Sequence, residues 1–485
     1  MRDIRSKHMS GIFGVCSYNE CVADLFFGTD YHSHLGTRRG GMAIFDGQHY
    51  NRAIHNIENS PFRTKFETYL SEMRGFVGIG CISNDHPQPI ILNSRIGTFA
   101  VVSVGRINNK KQLIRELMDK NNAYFTEMSS GNINDTEVVA SLICCKDNIP
   151  EGIKYAQSKI QGSMTMIVSA DSGLYAARDK WGRTPLFIGK KADGENGFCA
   201  SLESFAYINL GYQTHHELGA GEIVFITADK MTQISPPQNQ MKMCSFLWMY
   251  YSFPASDYEG VNVEDMRYGC GASLARQDIA QGTAPNVDYV AGIPDSGTPH
   301  AIGYANESKI PFVRPLIKYT PTWTRSFTPK DQKVREQVAK MKLTPASSLI
   351  KDKKLLFVED SIVRGTQMRG LMDRMMSYGA KELHARVGCP PVLFDCKYLN
   401  FTRPLTKNDT ISRRSIMSLE GTSDLCDARI APYIDENSKQ YKDMTAKIQK
   451  DLNLSSLQYH SLDGMLSSVG IDKNKLCTYC WNGKE

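Results

Sequence analysis

The chain has 485 residues and a mass of 54.3 kDa, a length that predicts two domains. Hydrophobic residues make up 41% and charged residues 22%, so the composition predicts buried cores and argues against a disordered chain. The net charge of +6 is too small to indicate a nucleic-acid-binding protein, although it is compatible with an anionic substrate. No apolar run approaches the roughly 18 residues of a membrane span, and the charged N-terminus lacks the apolar stretch of a secretory signal.

The cysteine content indicates the compartment. There are 13 cysteines, an odd number, and no signal peptide is visible. This combination argues against a disulfide framework and favours free thiols, a metal site or a cluster in a reducing environment. We therefore expect a cytoplasmic protein.

In chain order, the first half is dominated by short β segments with glycines between them. They are predicted at residues 75–83, 98–105, 163–170, 173–179 and 221–228. Helical patterns interrupt them at about 110–121 and 135–144. Strands in blocks with a few helices predict a layered α+β domain.

The pattern changes after the polar stretch SPPQNQMKM, and the domain boundary is predicted near residues 235–250. Beyond it, apolar strands alternate with helices. Strands are predicted at 287–294, 354–360 and 382–392, and helices at HAIGYANES and at 367–380. This alternation predicts a parallel sheet with helices on both faces.

The stretch LLFVEDSIVRGTQ carries the strongest functional signal. An apolar strand ends in Glu359 and Asp360, small residues follow, and a helix begins near Thr366. Ligands of open α/β sheets bind at the carboxyl ends of strands, and the N–H groups of a helix start attract phosphate. Acids beside such a loop suit the hydroxyls of a ribose or a divalent cation. The stretch therefore predicts recognition of a sugar that carries a phosphate and a diol; ordinary helix capping by Asp360 or Ser361 is the weaker alternative.

This loop resembles the phosphoribosylpyrophosphate loop of type I phosphoribosyltransferases. The chain as a whole is similar to the amidophosphoribosyltransferase family, which is also called glutamine phosphoribosylpyrophosphate amidotransferase. The motifs that carry this resemblance are GIFGV (11–15), GLYAARD (173–179), GRTPL (182–186), GAGEIVFI (219–226), GIPDSG (292–297), GYA (303–305), SKIP (308–311), the altered IKYTPTWTRSFTP (317–329) and GAKELHARVGCPP (379–391).

The resemblance implies the fold. Residues 1–9 would be a propeptide-like segment or tag, and 10–240 an α+β N-terminal-nucleophile (Ntn) glutaminase-like domain with four layers. Residues 241–485 would form an α/β type I phosphoribosyltransferase domain with a parallel sheet and a cluster-binding C-terminal tail. The family also implies a homo-oligomer, in particular a tetramer, and inhibition by purine nucleotides.

The resemblance further implies a reaction, in which an amine displaces pyrophosphate from carbon 1 of phosphoribosylpyrophosphate to give 5-phosphoribosylamine. This is the first step of de novo purine synthesis. The residues expected to bind the sugar phosphate are Asp295, Ser296, Gly297, Lys318, Glu359, Asp360, Ser361, Ile362, Val363, Arg364, Gly365 and Thr366. Mg²⁺ is expected at Ser296, Glu359 and Asp360. The family usually has aspartate at the position of Glu359, and we expect the longer carboxylate to be tolerated.

Four cysteines form a candidate metal site. Cys477 and Cys480 make a C-x-x-C motif, which alone is a weak signal. The resemblance places Cys244, Cys396, Cys477 and Cys480 where one branch of the family holds a [4Fe–4S] cluster. Four thiolates would also suit Zn²⁺, and their spacing does not separate the two. We expect a structural cluster that ties the C-terminal tail to the transferase domain, whereas the other nine cysteines are expected to be small core residues.

The first half departs from the family at its glutaminase residues. Ser10 stands at the position of the nucleophilic cysteine, and Ser83 replaces an arginine that binds the glutamine carboxylate. Val104 replaces the asparagine of the oxyanion hole and leaves only the Gly105 backbone, whereas Asp135 survives at the position that receives the glutamine amine. An engineered Cys→Ser change would account for Ser10 alone. Because losing one oxyanion donor costs roughly 100- to 1000-fold in rate, we expect a folded domain that is impaired or inactive as a glutaminase.

Three functions remain open from the sequence. The first is an amidophosphoribosyltransferase that uses glutamine, or only free ammonia. The second is a catalytically impaired relative that binds phosphoribosylpyrophosphate or nucleotides as a regulatory or scaffold protein. The third is a phosphoribosyltransferase with another nucleophile. Pyrophosphate release assayed with ammonia, with glutamine and with neither would separate them.

Overall fold

The computed structural model describes residues 10–84, 86–121, 124–126, 128–129, 131–192, 196–318, 343–399 and 408–484. The N-terminal segment 1–9 and, from residue 319 onward, the altered motif at 317–329 lie outside these residues. Within the described part, none of the helices combines the length and the apolar character needed to cross a membrane.

Fifteen strands are found in the described part of the first half, and most belong to two antiparallel sheets. The strands are β1 Gly11–Ser17, β2 Arg39–Phe45, β3 Tyr50–Asn56, β4 Val77–Ser83, β5 Ile90–Ser94, β6 Gly97–Ile107, β7 Met128–Ser129, β8 Asn132–Ile133, β9 Gly162–Ala170, β10 Gly173–Ala177, β11 Phe187–Lys191, β12 Gly197–Ser201, β13 Tyr212–Glu217, β14 Ile223–Ile226 and β15 Met231–Ser235. One sheet has the order β13-β11-β12-β1-β4-β2-β3, and the other has the order β15-β14-β10-β9-β6-β5.

The two sheets are stacked and covered by helices. The helices are α1 Val22–Asp30, α2 Phe62–Phe66, α3 Tyr69–Glu72, α4 Lys110–Asn121, α5 Asp135–Ile143, α6 Ile149–Lys159 and α7 Ser204–Ile208. A buried core that includes Phe13, Ile79 and Ile167 fills the space between the sheets. A second core, with Val101 and Val139, joins the six-stranded sheet to α4, α5 and α6. Alternate side chains of one strand thus pack into two different cores, which explains why the central strands are apolar on both faces.

The second half contains a four-stranded parallel sheet of the order β19-β22-β23-β24. Its strands and the short pairs around it are β16 Met243–Cys244, β17 Asp257–Tyr258, β18 Val261–Asn262, β19 Tyr289–Gly292, β20 Leu316–Lys318, β21 Leu343–Pro345, β22 Lys354–Glu359, β23 Glu382–Val387, β24 Ser456–Tyr459 and β25 Leu476–Cys477. The helices are α8 Val263–Gln281, α9 Gly297–Ser308, α10 Thr366–Ser377, α11 Ile411–Glu420, α12 Asp427–Ile430, α13 Lys439–Asp451, α14 Leu462–Val469 and α15 Tyr479–Asn482.

Helices α8 and α9 pack closely because glycines face the neighbouring backbone. A Cβ on Gly271 would lie 1.9 Å from the carbonyl oxygen of His300, and one on Gly303 would lie 2.0 Å from that of Tyr268. Any larger side chain would therefore force the two helices apart. This contact fixes α9, whose N-terminus borders the edge of the parallel sheet.

Buried polar contacts join the two halves. Glu203, which is 1% exposed, accepts hydrogen bonds from Tyr258 (2.5 Å), from Ser256 and from His34 (2.8 Å). Arg178 pairs with Glu259 at 2.9 Å. A buried carboxylate needs such partners, so these contacts hold the two halves in one arrangement. The division of the chain at residue 240 stays a prediction.

Candidate functional site at the edge of the parallel sheet

Two loops meet where neighbouring parallel strands end. Gly292 at the end of β19 is in register with Val358 near the end of β22, so the GIPDSG and EDSIVRGT loops lie side by side. The Ser296 hydroxyl donates a hydrogen bond to Oε1 of Glu359 at 3.1 Å. The predicted residues of the two loops are therefore brought together at the edge of the sheet where ligands of open α/β folds bind.

Glycine is required where the loops touch. A Cβ on Gly297 would lie 2.3 Å from the carbonyl oxygen of Val358, and one on Gly292 would lie 2.5 Å from the Cα of Thr298. These distances leave no room for a side chain, so the glycines of GIPDSG serve close packing between α9 and β22. The peptide bond between Pro294 and Asp295 in the same loop is cis.

Two adjacent carboxyl groups, those of Glu359 and Asp360, lie at the end of β22. Burial and the neighbouring Asp360 raise the pKa of Glu359 well above its ordinary value. Asp360 is 2% exposed and accepts a hydrogen bond from the Ser361 hydroxyl at 2.6 Å. No three His, Cys, Asp or Glu side chains in the described ranges are arranged to hold a metal ion by themselves. Proteins commonly hold Mg²⁺ through one or two carboxylates together with substrate phosphates, and Glu359 and Asp360 are two neighbouring carboxyl groups.

The loop between β22 and α10 has the shape of a phosphate cradle. Gly365 adopts a left-handed conformation (φ 73°) directly before α10, and no side chain caps the helix there. A Cβ at this residue would also lie 2.4 Å from Ile411. The start of a helix without a side-chain cap presents N–H groups and the positive end of the helix dipole to an anion.

The opposite side of this loop is held by residues that the sequence analysis did not identify. The main-chain N–H of Ile411 donates to the carbonyl of Val363 at 2.8 Å, and Arg414 donates to the carbonyl of Arg364 at 2.5 Å. The Arg364 side chain pairs with Asp409 at 2.8 Å. These contacts occupy the loop carbonyls and fix the backbone around the cradle. Their sequence signal is weak, because they join segments about 50 residues apart.

Lys318, which the resemblance predicts near the pyrophosphate, lies beside the GIPDSG loop. Its ammonium group is 2.5 Å from Oδ2 of Asp295, and both side chains are more than half exposed. An exposed lysine at the end of β20 is available to a pyrophosphate group, because an exposed ion pair is weak and exchanges readily for other partners.

The glutaminase-like residues lie in the first half. Ser10 directly precedes β1, and its hydroxyl donates a hydrogen bond to the Ser83 hydroxyl at the end of β4, at 3.2 Å. In the described part of the chain, no hydrogen bond joins Ser10 to Gly105 or Asp135. The structure therefore brings together Ser10 and Ser83, two of the residues that the resemblance predicts for the glutaminase site.

Gly105 lies on β6 in a conformation that glycine favours. Its φ is 141°, and a Cβ there would lie 1.9 Å from the carbonyl oxygen of Ser163. The preceding Val104 is buried at 2% exposure and adds no polar group to the site. The Ser103 hydroxyl shares a hydrogen bond of 2.7 Å with Thr136 on α5, so β6 is tied to the helix that begins at Asp135.

Asp135 already has a cationic partner within the chain. The Lys110 ammonium lies 2.5 Å from Oδ1 of Asp135, and Nε2 of His86 lies 3.6 Å from the same atom. Lys110 also donates a hydrogen bond to the carbonyl of Ile133. The sequence analysis did not identify Lys110, because a lysine in the first turn of a helix usually indicates only a solvated position.

The four predicted cluster cysteines line one cavity. The residues around it are Arg183, Cys244, Phe246, Cys396, Tyr398, Leu399, Cys477, Tyr479 and Cys480. β16 pairs in parallel with β25, which sets Cys244 opposite Cys477. The main-chain N–H groups of Tyr398 and Leu399 donate to Sγ of Cys396 at 3.5 and 3.3 Å. All 13 cysteines lie among the described residues, and no disulfide bond joins any two of them.

The environment of this cavity disfavours the thiolate form of its cysteines when no metal is bound. Burial is the main reason that the thiol pKa values of Cys244 and Cys477 are raised, and the nearby cysteines add to the effect. The pKa of Cys480 is raised by its hydrogen bond with Cys396 and by burial. A metal centre would lower these thiol pKa values instead, because a bound cation stabilises the thiolate form. The four cysteines line one cavity and two main-chain N–H groups donate to one of the sulfurs, which is the chemistry of a thiolate-bound cluster, although no three of them are arranged to hold a single metal ion as they stand in the described ranges.

Comparisons with known proteins bear on both halves of the chain. A family profile described as a glutamine amidotransferase domain matches residues 78–206. The amidophosphoribosyltransferase of Methanocaldococcus jannaschii is 28% identical, and the alignment covers 98% of this chain and 97% of that protein. The amidophosphoribosyltransferase of Bacillus subtilis is 26% identical over 98% of this chain and 93% of its own. The chain is thus similar to these two amidophosphoribosyltransferases over 98% of its length.

Solved structures agree with this relation. The glutamine phosphoribosylpyrophosphate amidotransferase from B. subtilis, complexed with ADP and GMP, matches with a TM-score of 0.81 at 26% identity. The match covers 98% of this chain and 96% of that one. A second structure, described as the allosteric regulatory enzyme of purine biosynthesis, matches with a TM-score of 0.80 at 25% identity and covers 98% and 95%. The predicted combination of an Ntn glutaminase-like domain and a phosphoribosyltransferase domain is confirmed.

Proposed function

We propose that this chain is an amidophosphoribosyltransferase, which transfers an amine to carbon 1 of phosphoribosylpyrophosphate and releases pyrophosphate. The observation that carries the proposal is the meeting of the GIPDSG and EDSIVRGT loops at the carboxyl ends of β19 and β22. Its support is the relation to named amidophosphoribosyltransferases over 98% of the chain. The product would be 5-phosphoribosylamine, and the step would be the first of de novo purine synthesis.

Different residues of the chain would bind different groups of the substrate. The start of α10 and the Ser361–Thr366 backbone would hold the 5-phosphate, and the GIPDSG loop with Lys318 would hold the pyrophosphate. Glu359 and Asp360 would orient the ribose hydroxyls. Ser296, Glu359 and Asp360 are the residues that would hold Mg²⁺, which when bound would supply positive charge for the departing pyrophosphate.

We further propose that the glutaminase half supplies little or no ammonia, so that free ammonia is the amine source. A serine hydroxyl at Ser10 is a weaker nucleophile than a cysteine thiolate, and its neighbour Ser83 offers no charge to a substrate carboxylate. The carboxylate of Asp135, expected to bind the glutamine amine, is paired with Lys110. The nucleophile and the residue expected at the carboxylate end of the glutamine subsite are thus replaced, and the retained acid at its amine end is already paired with Lys110.

Cys244, Cys396, Cys477 and Cys480 would hold a [4Fe–4S] cluster with a structural role. When bound, the cluster would cross-link the C-terminal segment to the segment that follows residue 240. By extension from the family, we also propose a homotetramer in the cytoplasm. The solved B. subtilis relative holds ADP and GMP, and purine nucleotides are therefore the inhibitors to test.

The test is release of pyrophosphate from phosphoribosylpyrophosphate and Mg²⁺, measured with ammonia, with glutamine and without an amine. We expect release with ammonia, and with glutamine neither comparable release nor brisk formation of glutamate. Asp360→Asn is the loss-of-function control, and Asp352→Asn, at an exposed turn before the same strand, is the matched control. No release at any ammonia concentration would contradict transferase chemistry; binding without turnover would favour the regulatory alternative.

A further inference from the structure

The cysteine cavity contains one buried cation, and it comes from the first half of the chain. Arg183 is 3% exposed and lies between β10 and β11. Its Nη1 donates a hydrogen bond to Sγ of Cys477 at 3.1 Å, and its guanidinium carbon lies 3.3 Å from the centre of the Tyr398 ring. The guanidinium is therefore both stacked and directed at a cysteine of the candidate metal site.

No carboxylate in the part of the chain that the structure describes forms an ion pair with this guanidinium. Its Nε has no hydrogen-bond partner within the same residues. The nearby Asp179 accepts the main-chain N–H of Arg183 at 2.5 Å, and its carboxylate interacts with the Arg183 charge only at a distance, without a hydrogen bond to the guanidinium. A buried cation without an opposite charge strongly destabilises a fold. Among the described residues, Arg183 is therefore a buried charge without an ion-pair partner, and its side-chain hydrogen bond at the cavity goes to a cysteine sulfur.

A metal centre at the four cysteines would supply the opposite charge. Four protonated thiols are neutral. Four thiolates around Zn²⁺, or around a [4Fe–4S] core of charge two plus, carry a net charge of two minus. The centre would thus be negatively charged with either metal, and the positively charged Arg183 lies next to it.

We propose that the positive charge of Arg183 balances the negative charge of the metal–thiolate centre. Because Arg183 belongs to the first half of the chain, this contact couples metal binding to docking of the two halves. The inference rests on the proposed metal centre. A second contact between the halves lies beside the first: Nη1 of Arg106, which directly follows Gly105 on β6, donates to the carbonyl of Cys396 at 3.1 Å. The centre would then fasten the glutaminase-like half as well as the C-terminal segment.

The test compares Arg183→Met, which keeps the bulk and removes the charge, with Arg183→Lys, which keeps the charge. Arg115→Met, at an exposed position on α4, is the matched control. Proteins are purified anaerobically and assayed for iron and zinc per chain and for the rate of metal loss to a chelator. We expect Arg183→Met to lose metal about 10- to 100-fold faster than the unchanged protein, Arg183→Lys to lose it at an intermediate rate, and the control to be unchanged.

The thermal midpoint separates a counter-charge from a merely structural role. Arg183→Met should lower the midpoint of the metal-loaded protein but raise that of the chelator-stripped protein, where it removes an unpaired buried charge. A variant that lowers both midpoints, with unchanged metal loss, would overturn the inference and leave the metal proposal intact. An unchanged protein that carries neither iron nor zinc would overturn both, without bearing on pyrophosphate release at the sheet edge.

Discussion

The pair formed by Lys110 and Asp135 gives a quantitative prediction about the altered glutamine subsite. The two side chains are 22% and 23% exposed, and their charged atoms are 2.5 Å apart. An exposed pair contributes under about 1 kcal/mol, whereas breaking a buried pair costs about 3–5 kcal/mol. For this intermediate burial we expect Lys110→Ala to lower the free energy of unfolding by about 1–3 kcal/mol. The midpoint should fall by roughly 2–4 °C for each kcal/mol.

The assay is thermal unfolding with and without propylammonium, which replaces the atoms that Lys110→Ala removes. If Asp135 retains a site for an ammonium group, added propylammonium should raise the midpoint of Lys110→Ala in a saturable manner. The unchanged protein and the double variant Lys110→Ala/Asp135→Asn should not respond. Lys111→Ala, at the next and exposed position of α4, controls for helix propensity.

Two results would refute this reasoning. Additive effects of Lys110→Ala and Asp135→Asn in a double-mutant cycle would show that the pair contributes nothing to stability. Binding of glutamine to the unchanged protein with ordinary affinity would show that Lys110 does not compete for Asp135. Lys110→Ala alone should not restore glutamine hydrolysis, because Ser10 and Ser83 remain.

Two further predictions concern pH and backbone packing. Burial and the nearby Glu259 raise the pKa of Glu217 to about 7. The folded state therefore retains a proton that the unfolded state releases above about pH 4.5. The free energy of unfolding should consequently fall as pH rises from about 4.5 to about 7. In urea titrations, Glu217→Gln should remove at most about 3 kcal/mol of this pH-dependent change in the free energy of unfolding. Gly297→Ala places a Cβ 2.3 Å from the carbonyl of Val358 and should weaken phosphoribosylpyrophosphate binding in calorimetry, whereas Gly370→Ala, with no atom within 4 Å, should stabilise α10 by about 0.5–1 kcal/mol. Stability that is flat across this pH range, or equal binding by the two glycine variants, would contradict these expectations.

Local patterns predicted most of the elements around the site. The helix expected at 110–121 has those bounds, and the strand expected at 354–360 is one residue shorter. Strand ends were less predictable. The segment 173–179 leaves its sheet after Ala177, because Arg178 and Asp179 are taken up by buried side-chain contacts across the chain. Such endings depend on distant partners rather than on the local apolar pattern.

The site itself was predictable only in part, for the same reason. Gly365 and the acids of the β22 loop are adjacent in sequence, and their residue types express a local backbone requirement. The partners that complete each site lie far away: Lys110 is 25 residues from Asp135, and Arg183 is 294 residues from Cys477. A single lysine or arginine carries no signal of the charge that it faces, so these contacts emerge only from the folded chain.

The most direct test of the central claim is calorimetric titration of phosphoribosylpyrophosphate into the protein with Mg²⁺ present. We expect binding that is weakened at least about tenfold, or about 1.4 kcal/mol, in Glu359→Gln and in Asp360→Asn but is unchanged in Asp352→Asn at the other end of the strand. Absence of any heat for this sugar phosphate with the metal present, or equal binding by all the variants, would contradict the claim that the edge of the parallel sheet is the catalytic site.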